Sequence, residues 1–425
     1  MGNTTTRKAI EAVWRIESAR LIGGLVRVVR DVGAAEDLAQ EALVTALERW
    51  PETGIPDNPG AWLMATAKNR AIDQLRRRQL VERKHEDLAA DATTTATTAN
   101  DREAALDEDV GDDLLRLVLI ACHPVLSKEA RVALTLRLLG GLTTDEIARG
   151  FLVPEATIAQ RIVRAKRTLA EAHVPFTTPR ADELPARLPA VLEVIYLVFN
   201  EGYAATGGDE WMRTDLCDDA LRLGRILVAL VPAAAEAHGL VALMELQASR
   251  ARARVGPNGE PILLLAQDRS RWDRLLVHRG LAALARAEEL ARLGGFSLGP
   301  YTLQAAIAAC HARALTGDAT DWPRIVALYD GLVELTQSPV VELNRAVAVA
   351  MAFGPAAGLE LVDALIDEAA LQSYHLLPSV RGDLLSKLGR EDEARREFER
   401  AAGMTENARE RHLLLERAHK TRVRD

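Results

Sequence analysis

The stretch Thr143–Leu169, TTDEIARGFLVPEATIAQRIVRAKRTL, predicts two short helices separated by a turn. Thr143 and Glu146 form a capping box, in which a hydroxyl and a carboxylate bind the exposed amides of a helix start. Gly150 permits the turn. Pro154 suits the first position of a second helix, because its missing N–H has no helical partner there.

The second of these helices has two distinct faces. Apolar residues recur with the helical period and predict a buried face, formed by Ile158, Ile162, Ala165 and Leu169. A separate face carries side chains that bind base edges and phosphates, namely Thr157, Gln160, Arg161, Arg164 and Arg167. The stretch therefore predicts a helix-turn-helix with its second helix in a major groove, although an ordinary Arg-rich surface helix shares this pattern.

The composition predicts an all-α protein of several domains. A chain of 425 residues is too long for one core. Only 4% of its residues are aromatic, and Ala, Leu, Arg and Glu dominate, which favours helices. The net charge of −8 restricts any DNA-binding surface to a local patch.

The cysteines and the hydropathy indicate the cellular setting. Cys122, Cys217 and Cys310 are far apart and form no C-x-x-C pair, so we expect a reducing cytoplasm and no disulfide framework. Two of them precede a histidine, but adjacent residues point in different directions on a helix, and we expect no metal or other cofactor. No apolar run approaches the ~18 residues that span a bilayer, so we expect a soluble protein.

Two helices are predicted at the start of the chain, over residues 7–30 and 34–50. The second has a predicted core stripe of Leu43, Leu47 and Trp50. A separate polar side carries Asp37, Gln40 and Glu41. Asp37 has two interpretations, as a favourable charge near the helix start or as part of a docking face for a basic partner.

A third helix is predicted to start at Asn58-Pro59, an N-cap followed by a proline at the first position. One side gathers the apolar residues Met64, Ala67, Ala71, Ile72 and Leu75. The other gathers Trp62, Thr66, Asn69, Asp73, Arg76 and Arg77. This second side suits nucleic acid, where an aromatic ring stacks on an unpaired base and arginine holds phosphate. Alternatively, Trp62 packs on a neighbouring helix and Arg77 pairs with Asp73.

The residues that follow change in character and predict a flexible linker over 85–112. From Glu86 to Asp113 the chain has ten acidic residues and one basic residue, Arg102. The middle of this segment is rich in Thr and Ala and has no apolar period. A solvated spacer and an acidic segment that competes with DNA for the flanking basic faces are both compatible with this composition.

Taken together, residues 8 to about 175 resemble a bacterial sigma factor of the extracytoplasmic-function (ECF) type. Glu36–Leu43 resembles the helix that docks on the polymerase clamp, Asn69–Arg77 the helix beside the −10 element, and Pro154–Leu169 the −35 recognition helix. The acidic linker is longer than in minimal members. The resemblance implies sigma region 2 over 7–84 and region 4 over 113–175.

The same resemblance implies partners and site residues. Core RNA polymerase would contact Asp37, Gln40 and Glu41. The −10 element would contact Trp62, Asn69, Asp73, Arg76 and Arg77. The −35 element would contact Thr157, Gln160, Arg161, Arg164 and Arg167.

The remaining chain, 184–425, predicts helical repeats. Gly317, Gly354 and Gly389 each lie between two helical segments. Arg381–Ala402 resembles a tetratricopeptide (TPR) repeat, as does Glu342–Ala364, and such repeats bury each other's apolar faces. A sigma factor with a TPR-like extension is a recognised subgroup, which implies a surface for a protein partner or ligand. The extension could cover the polymerase-docking helix until a ligand releases it, or it could add contacts that help to hold polymerase; the subgroup resemblance favours an extension required for activity.

Three functions follow as hypotheses. The first is a sigma factor, a binding subunit and not an enzyme. The second is a conventional helix-turn-helix regulator with a helical-repeat sensor. The third, a hydrolase or transferase in the C-terminal half, is disfavoured because that half has no Gly-rich phosphate loop, H-E-x-x-H or nucleophile elbow.

Overall fold

In a computed structural model, the chain divides into two compact units, Met1–Val194 and Ile195–Asp425. The structure describes residues 2–86, 110–151, 153–172, 174, 184–204, 207–208, 211–257 and 259–422. Across these ranges the regular structure is helical, apart from one parallel pair of two-residue strands, β1 (Gly207–Gly208) and β2 (Glu406–Asn407). The predicted all-α fold is confirmed. Among the same residues, no helix has both the length and the apolar character needed to cross a membrane.

The first unit is built from the predicted helices. They are α1 (Gly2–Val29), α2 (Val32–Thr53), α3 (Pro59–Glu86), α4 (Val110–Ala121), α5 (Lys128–Thr135), α6 (Thr144–Gly150) and α7 (Glu155–Glu171). A π-helical turn, Leu136–Gly140, continues α5. The boundary between the two units falls inside α8 (Leu184–Tyr203).

Small residues on α2 form the centre of the α1–α3 packing. The fully buried alanines recur every three or four positions along one side of the helix and are Ala35, Ala39, Ala42 and Ala46. Leu38 and Trp50 complete this side. The predicted core stripe was therefore wrong at two positions: Leu43 is half-buried and Leu47 is 37% exposed. Each lies one residue, about 100° around the helix, from a buried alanine.

Side-chain caps start α2 and α3. The amide of Ala34 donates to Asp31 Oδ1 at 2.7 Å, so Asp31 is the N-cap of α2. Asp37 lies farther along the helix and is exposed. The amide of Ala61 donates to Asn58 Oδ1 at 3.0 Å, which confirms the predicted cap of α3.

The predicted helix-turn-helix is formed by α6 and α7. The capping box is confirmed in both directions: Thr143 N donates to Glu146 Oε2 at 2.8 Å, and Glu146 N donates to Thr143 Oγ1 at 3.1 Å. The predicted apolar face of α7 is also confirmed, since Ile158, Ile162, Ala165 and Leu169 are all buried. Pro154 is one position earlier than predicted, as the residue preceding α7.

Helices extend into both ends of the predicted acidic linker. α3 continues to Glu86 and α4 begins at Val110, while residues 87–109 lie outside the described part of the chain. Asp113 was counted among the linker acids, but it is only 5% exposed in α4. Its carboxylate lies 3.6 Å from Arg27 Nε of α1 and 3.1 Å from Arg116 Nη1. This carboxylate therefore stabilises the packing of α4 on α1.

The second unit is a succession of helices after α8. They are α9 (Thr214–Leu230), α10 (Ala235–Ala248), α11 (Arg274–Gly294), α12 (Pro300–Arg313), α13 (Trp322–Thr336), α14 (Pro339–Phe353), α15 (Pro355–Asp363), α16 (Leu376–Lys387), α17 (Glu391–Met404) and α18 (Ala408–Arg422). Short 3-10 turns lie at Ala251–Ala253, Leu264–Ala266, Arg269–Arg271 and Ala369–Leu371.

The three glycines predicted to separate helices do so. Gly317 lies between α12 and α13, and Gly354 and Gly389 join α14 to α15 and α16 to α17 with positive φ angles of 104° and 76°. Within α16, a Cβ at Gly382 would lie 2.9 Å from the Phe398 ring of α17. A small residue is therefore required where this helix pair packs around the buried Phe398.

Two large side chains of the segment before α11 are buried. Trp272 is 4% and Arg269 9% exposed. Arg269 donates to the carbonyl oxygens of His311, in the last turn of α12, and of Ala314, which follows that helix. The segment is therefore an internal hydrogen-bonding centre.

Candidate nucleic-acid interface

The outer face of α7 presents the predicted base-reading side chains. Gln160, Arg164 and Arg167 are exposed, whereas Thr157 and Arg161 are half-buried. Val163 shares this face, three residues after Gln160, and its side chain is 64% exposed. Sequence reasoning missed Val163, although its spacing from Gln160 and Arg167 places it on the same side of the helix.

Two of the α7 arginines have acidic neighbours. Arg167 Nε donates to Glu171 Oε1 at 2.6 Å, and both side chains are exposed. This hydrogen bond and the Glu171 charge raise the pKa of Arg167. The pKa of the Glu129 carboxyl is lowered mainly by hydrogen bonds with its own amide and with Ser127, and also by the charge of Arg161. Arg161 is thus directed partly toward α5, while Arg164 lies on the exposed face.

The predicted polymerase-docking residues are on α2. Asp37 and Glu41 are exposed, and Gln40 is half-buried. Gln40 Nε2 donates to Glu36 Oε1 at 2.8 Å. Glu41 Oε2 lies 3.0 Å from Arg70 Nη1 on α3. Asp37 lies on the solvent side of the helix.

The predicted −10 residues lie along α3. Asn69, Asp73 and Arg76 are exposed. Trp62 is half-buried, and its ring meets that of Trp50 edge-on, with centroids 5.3 Å apart. Trp62 therefore packs on the neighbouring helix α2, as one of the two interpretations predicted. Part of the residue remains exposed. The Arg77 side chain lies outside the described residues, so its predicted pairing with Asp73 is not tested.

A charged cluster that sequence reasoning missed joins α2 to the helix-turn-helix region. Glu36 is 3% exposed. Its Oε1 accepts from Arg137 Nε at 2.6 Å, and its Oε2 lies 2.5 Å from Lys166 Nζ of α7. Arg137 also donates to the Leu142 carbonyl at 3.1 Å. Glu36, which adjoins the exposed Asp37, therefore holds α2 against α7 and against the π-helical turn that contains Arg137.

The cysteines occupy packed positions. Burial raises the pKa of the Cys122 thiol to about 11 and that of Cys217 to about 12. Cys310 is also buried. High thiol pKa values oppose thiolate chemistry. No group of three or more potential metal ligands occurs among the described residues.

Comparison with known families matches the two halves of the first unit separately. Sigma-70 region 2 matches residues 16–81, and sigma-70 region 4 matches residues 116–169. The first range covers α2 and most of α3, and the second covers the helix-turn-helix. A family of unknown function, DUF6596, matches residues 187–288 in the extension.

One uncharacterized relative covers most of the chain, whereas two sigma factor relatives each cover less than two fifths of it. An uncharacterized protein of Rhizobium meliloti is 44% identical over 394 residues, covering 92% of this chain and 90% of that protein. The ECF RNA polymerase sigma factor SigK of Mycobacterium ulcerans is 30% identical over 161 residues, 35% of this chain and 78% of its own length. The probable ECF RNA polymerase sigma factor SigI of Mycobacterium tuberculosis is 30% identical over 169 residues, 39% and 56% of the two chains.

Three observations indicate the same family. They are the helix-turn-helix geometry, the order of the two matched regions and the coverage of the SigK relative. The extension after these regions is helical in its described residues. The chain therefore belongs to the extracytoplasmic-function RNA polymerase sigma factors.

Proposed function

We propose that the first unit recruits core RNA polymerase and directs it to promoters by binding the −35 element through α7 and the −10 element through α3. The observation that carries this proposal is the division of α7 into a buried apolar face and an exposed face with Gln160, Val163, Arg164 and Arg167. A helix supported on one side and exposed on the other fits a major groove. The functional segments would be region 2 over 7–84, a linker over 85–112 and region 4 over 113–175.

Different α7 side chains would contact bases and phosphates. The Gln160 amide suits the paired donor and acceptor of adenine, and Arg164 suits guanine or phosphate. Val163 would contact a thymine methyl group, for which an exposed apolar side chain is suited. Thr157, Arg161 and Arg167 would position the helix by phosphate contacts.

Docking on polymerase would use the solvent side of α2. Asp37 and Glu41 supply negative charge, and Gln40 supplies an amide beside them. Glu36 forms ion pairs with Arg137 and Lys166. The proposed docking face therefore consists of the residues that follow Glu36 on the exposed side of α2. Such charge steers association with a basic partner.

Opening of the −10 element would use α3. Asn69, Asp73 and Arg76 lie exposed along this helix, and the accessible part of Trp62 offers a ring for an unpaired base. Arg77 would add a phosphate contact. The edge contact with Trp50 would hold the Trp62 ring in a fixed orientation.

The extension, 184–425, would support transcription as a TPR-like module. Helix pairs packed through small residues such as Gly382 support this assignment. A tethered module acts at an effective concentration in the millimolar range, so weak contacts suffice to change the activity of the first unit.

Run-off transcription with purified core polymerase tests the proposal. The full chain should direct promoter-dependent initiation and co-purify with core polymerase. Val163→Ala should reduce initiation at the best promoter, with the loss concentrated at one −35 base pair, while Glu48→Gln on the exposed side of α2 should not alter −35 base preference. A chain that binds duplex DNA tightly but neither binds polymerase nor initiates would instead be a conventional helix-turn-helix regulator.

A further inference from the structure

In the second unit, two arginines lie against the ring of the buried Trp272, and a third lies on the nearby ring of Tyr203. The arginine cluster consists of Arg250, Arg254 and Arg269. Arg250 Cζ lies 5.7 Å and Arg269 Cζ 5.1 Å from the centroid of the Trp272 ring. Arg254 Cζ lies 3.6 Å from the Tyr203 ring centroid, and Arg254 is 7% exposed. Aromatic faces thus supply part of the stabilisation that these cations need away from water.

No carboxylate neutralises this cluster in the described part of the chain, where every ion pair within 4.0 Å involves other residues. Neighbouring arginines are different: Arg225 and Arg279 both pair with Glu245. The cluster instead donates to neutral oxygens, such as the Ala314 carbonyl from Arg269 at 2.7 Å. Positive charge therefore accumulates in a partly dehydrated region, which is energetically costly unless an anion is present.

The positive charge of the arginine cluster also lowers pKa values within and beside the cluster. Burial lowers the pKa values of Arg254 and Arg269, and the charge of Arg250 lowers them further. Burial, followed by the charges of Arg250 and Arg269, lowers the pKa of His311 to about 4. The His311 ring is consequently neutral at physiological pH and offers one N–H donor.

A cavity of about 270 Å³ lies against this cluster, entirely within the second unit. Arg250 and His311 line it, and its walls contain no Asp or Glu among the residues that the structure describes. His311 is 8% exposed, and its Nδ1 has no hydrogen-bond partner. Arg250 Nη2 donates to Gln247 Oε1 at 2.7 Å, whereas its buried Nε has no partner. Two unsatisfied nitrogens thus belong to residues that line one cavity.

The remaining walls combine amides with apolar side chains. The polar members are Tyr196, Gln247, Gln304, Tyr329 and Asn344, and the apolar members include Leu243 and Ile307. Tyr196 OH donates to Gln304 Oε1 at 3.2 Å, which fixes one wall. Arg269 fixes another by donating to the His311 carbonyl. Mixed walls around a few donors are typical of small-molecule sites, and the volume lies just below their usual range of about 300–1,000 Å³, which restricts the ligand to a small molecule.

We propose that this cavity binds a small organic anion, with a carboxylate or phosphate group on Arg250 and His311 and its remaining polar atoms on the amides of Gln247, Gln304 and Asn344. The guanidinium presents a fork of donors that matches either anionic group. The bound anion would neutralise the charge that the protein leaves uncompensated. This site stands apart from the sigma function, since every residue in it belongs to the second unit.

The test uses the full chain and three probes: inorganic phosphate, glycerol 3-phosphate and malate. Sodium chloride at matched ionic strength controls for general salt effects. Titration calorimetry should show saturable binding of at least one probe with Kd below about 1 mM. Thermal unfolding should shift upward by about 5 °C at probe concentrations of about one hundred times Kd. Preference for glycerol 3-phosphate or for malate distinguishes a phosphate ligand from a carboxylate.

Variants connect the binding to the cavity. Arg250→Gln should weaken the binding of that probe at least tenfold, because a charged donor pair is lost. Arg292→Gln, at an exposed position of α11, should bind like the original chain. If Arg250→Gln does not fold, Arg250→Lys keeps the charge, removes the fork and should also weaken binding. The proposal is overturned if no probe binds saturably, or if the Arg250 variants bind as tightly as Arg292→Gln.

Discussion

Glu36→Gln is the change that best tests the charged cluster between α2 and the helix-turn-helix region. The Glu36 side chain is 4% exposed and contacts Arg137 and Lys166, whose side chains are each 21% exposed. Glutamine keeps the size of the side chain and removes its charge. Two partly buried cations then lie beside a neutral amide.

The expected cost follows from the burial. Removing one partner of a buried ion pair costs about 3–5 kcal/mol. Arg137 keeps its bond to the Leu142 carbonyl, and both cations have some access to water. We therefore expect a loss of about 2–3 kcal/mol in the free energy that holds α7 against α2.

Glu41→Gln is the matched control on the same helix. Glu41 pairs with Arg70, but their side chains are 50% and 39% exposed. Exposed ion pairs contribute roughly 0–1 kcal/mol because water and salt screen them. The control makes the same chemical change without burial.

Hydrogen exchange of the full chain, read by mass spectrometry, localises the effect. A loss of about 2 kcal/mol should speed exchange in peptides from α7 about thirtyfold, since 1.4 kcal/mol corresponds to tenfold. Peptides from α12 in the second unit should not change. If exchange in α7 is the same in Glu36→Gln and Glu41→Gln, the cluster does not hold these helices together and the reasoning is refuted.

Three further predictions concern the proposed interfaces. Gln160→Ala should relax base preference at one −35 position at a cost of ~1–3 kcal/mol, measured by binding to a panel of promoter variants; unchanged preference would remove Gln160 from the groove. Asp37→Lys should reduce co-purification with core polymerase while circular dichroism stays unchanged, and undiminished binding by this folded variant would contradict docking through α2. A chain ending at Arg180 should lose most promoter-dependent transcription in run-off assays; stronger transcription than the full chain would show an inhibitory extension.

Local patterns in the sequence determined most of the helices and some of their ends. The capping box of Thr143 and Glu146 and the N-cap Asn58 involve residues three positions apart, so their geometry follows from the helix itself. The apolar face of α7 follows for the same reason, because the helical period alone brings its four residues to one side. The resemblance to ECF sigma factors rests on such local motifs in a recognisable order.

Only the tertiary structure decided which side of α2 is buried. A helix with both leucines and alanines on its surface permits two apolar stripes, and the neighbours select between them. Packing against α1 and α3 selected the alanine side and left Leu47 exposed. The contact between Trp50 and Trp62 likewise depends on the approach of two helices.

Contacts of charged side chains with residues far away in the sequence show most clearly what only tertiary packing decides. Arg137 is 101 positions from Glu36, and Arg269 is 42 positions from His311. No period or spacing in a single chain connects such residues, because their meeting depends on the path of every helix between them. The sequence by itself therefore determined most of the helices, the caps of α3 and α6 and the polar residues on the exposed face of α7, whereas tertiary packing alone brought together the Glu36 cluster and the cavity lined by Arg250 and His311.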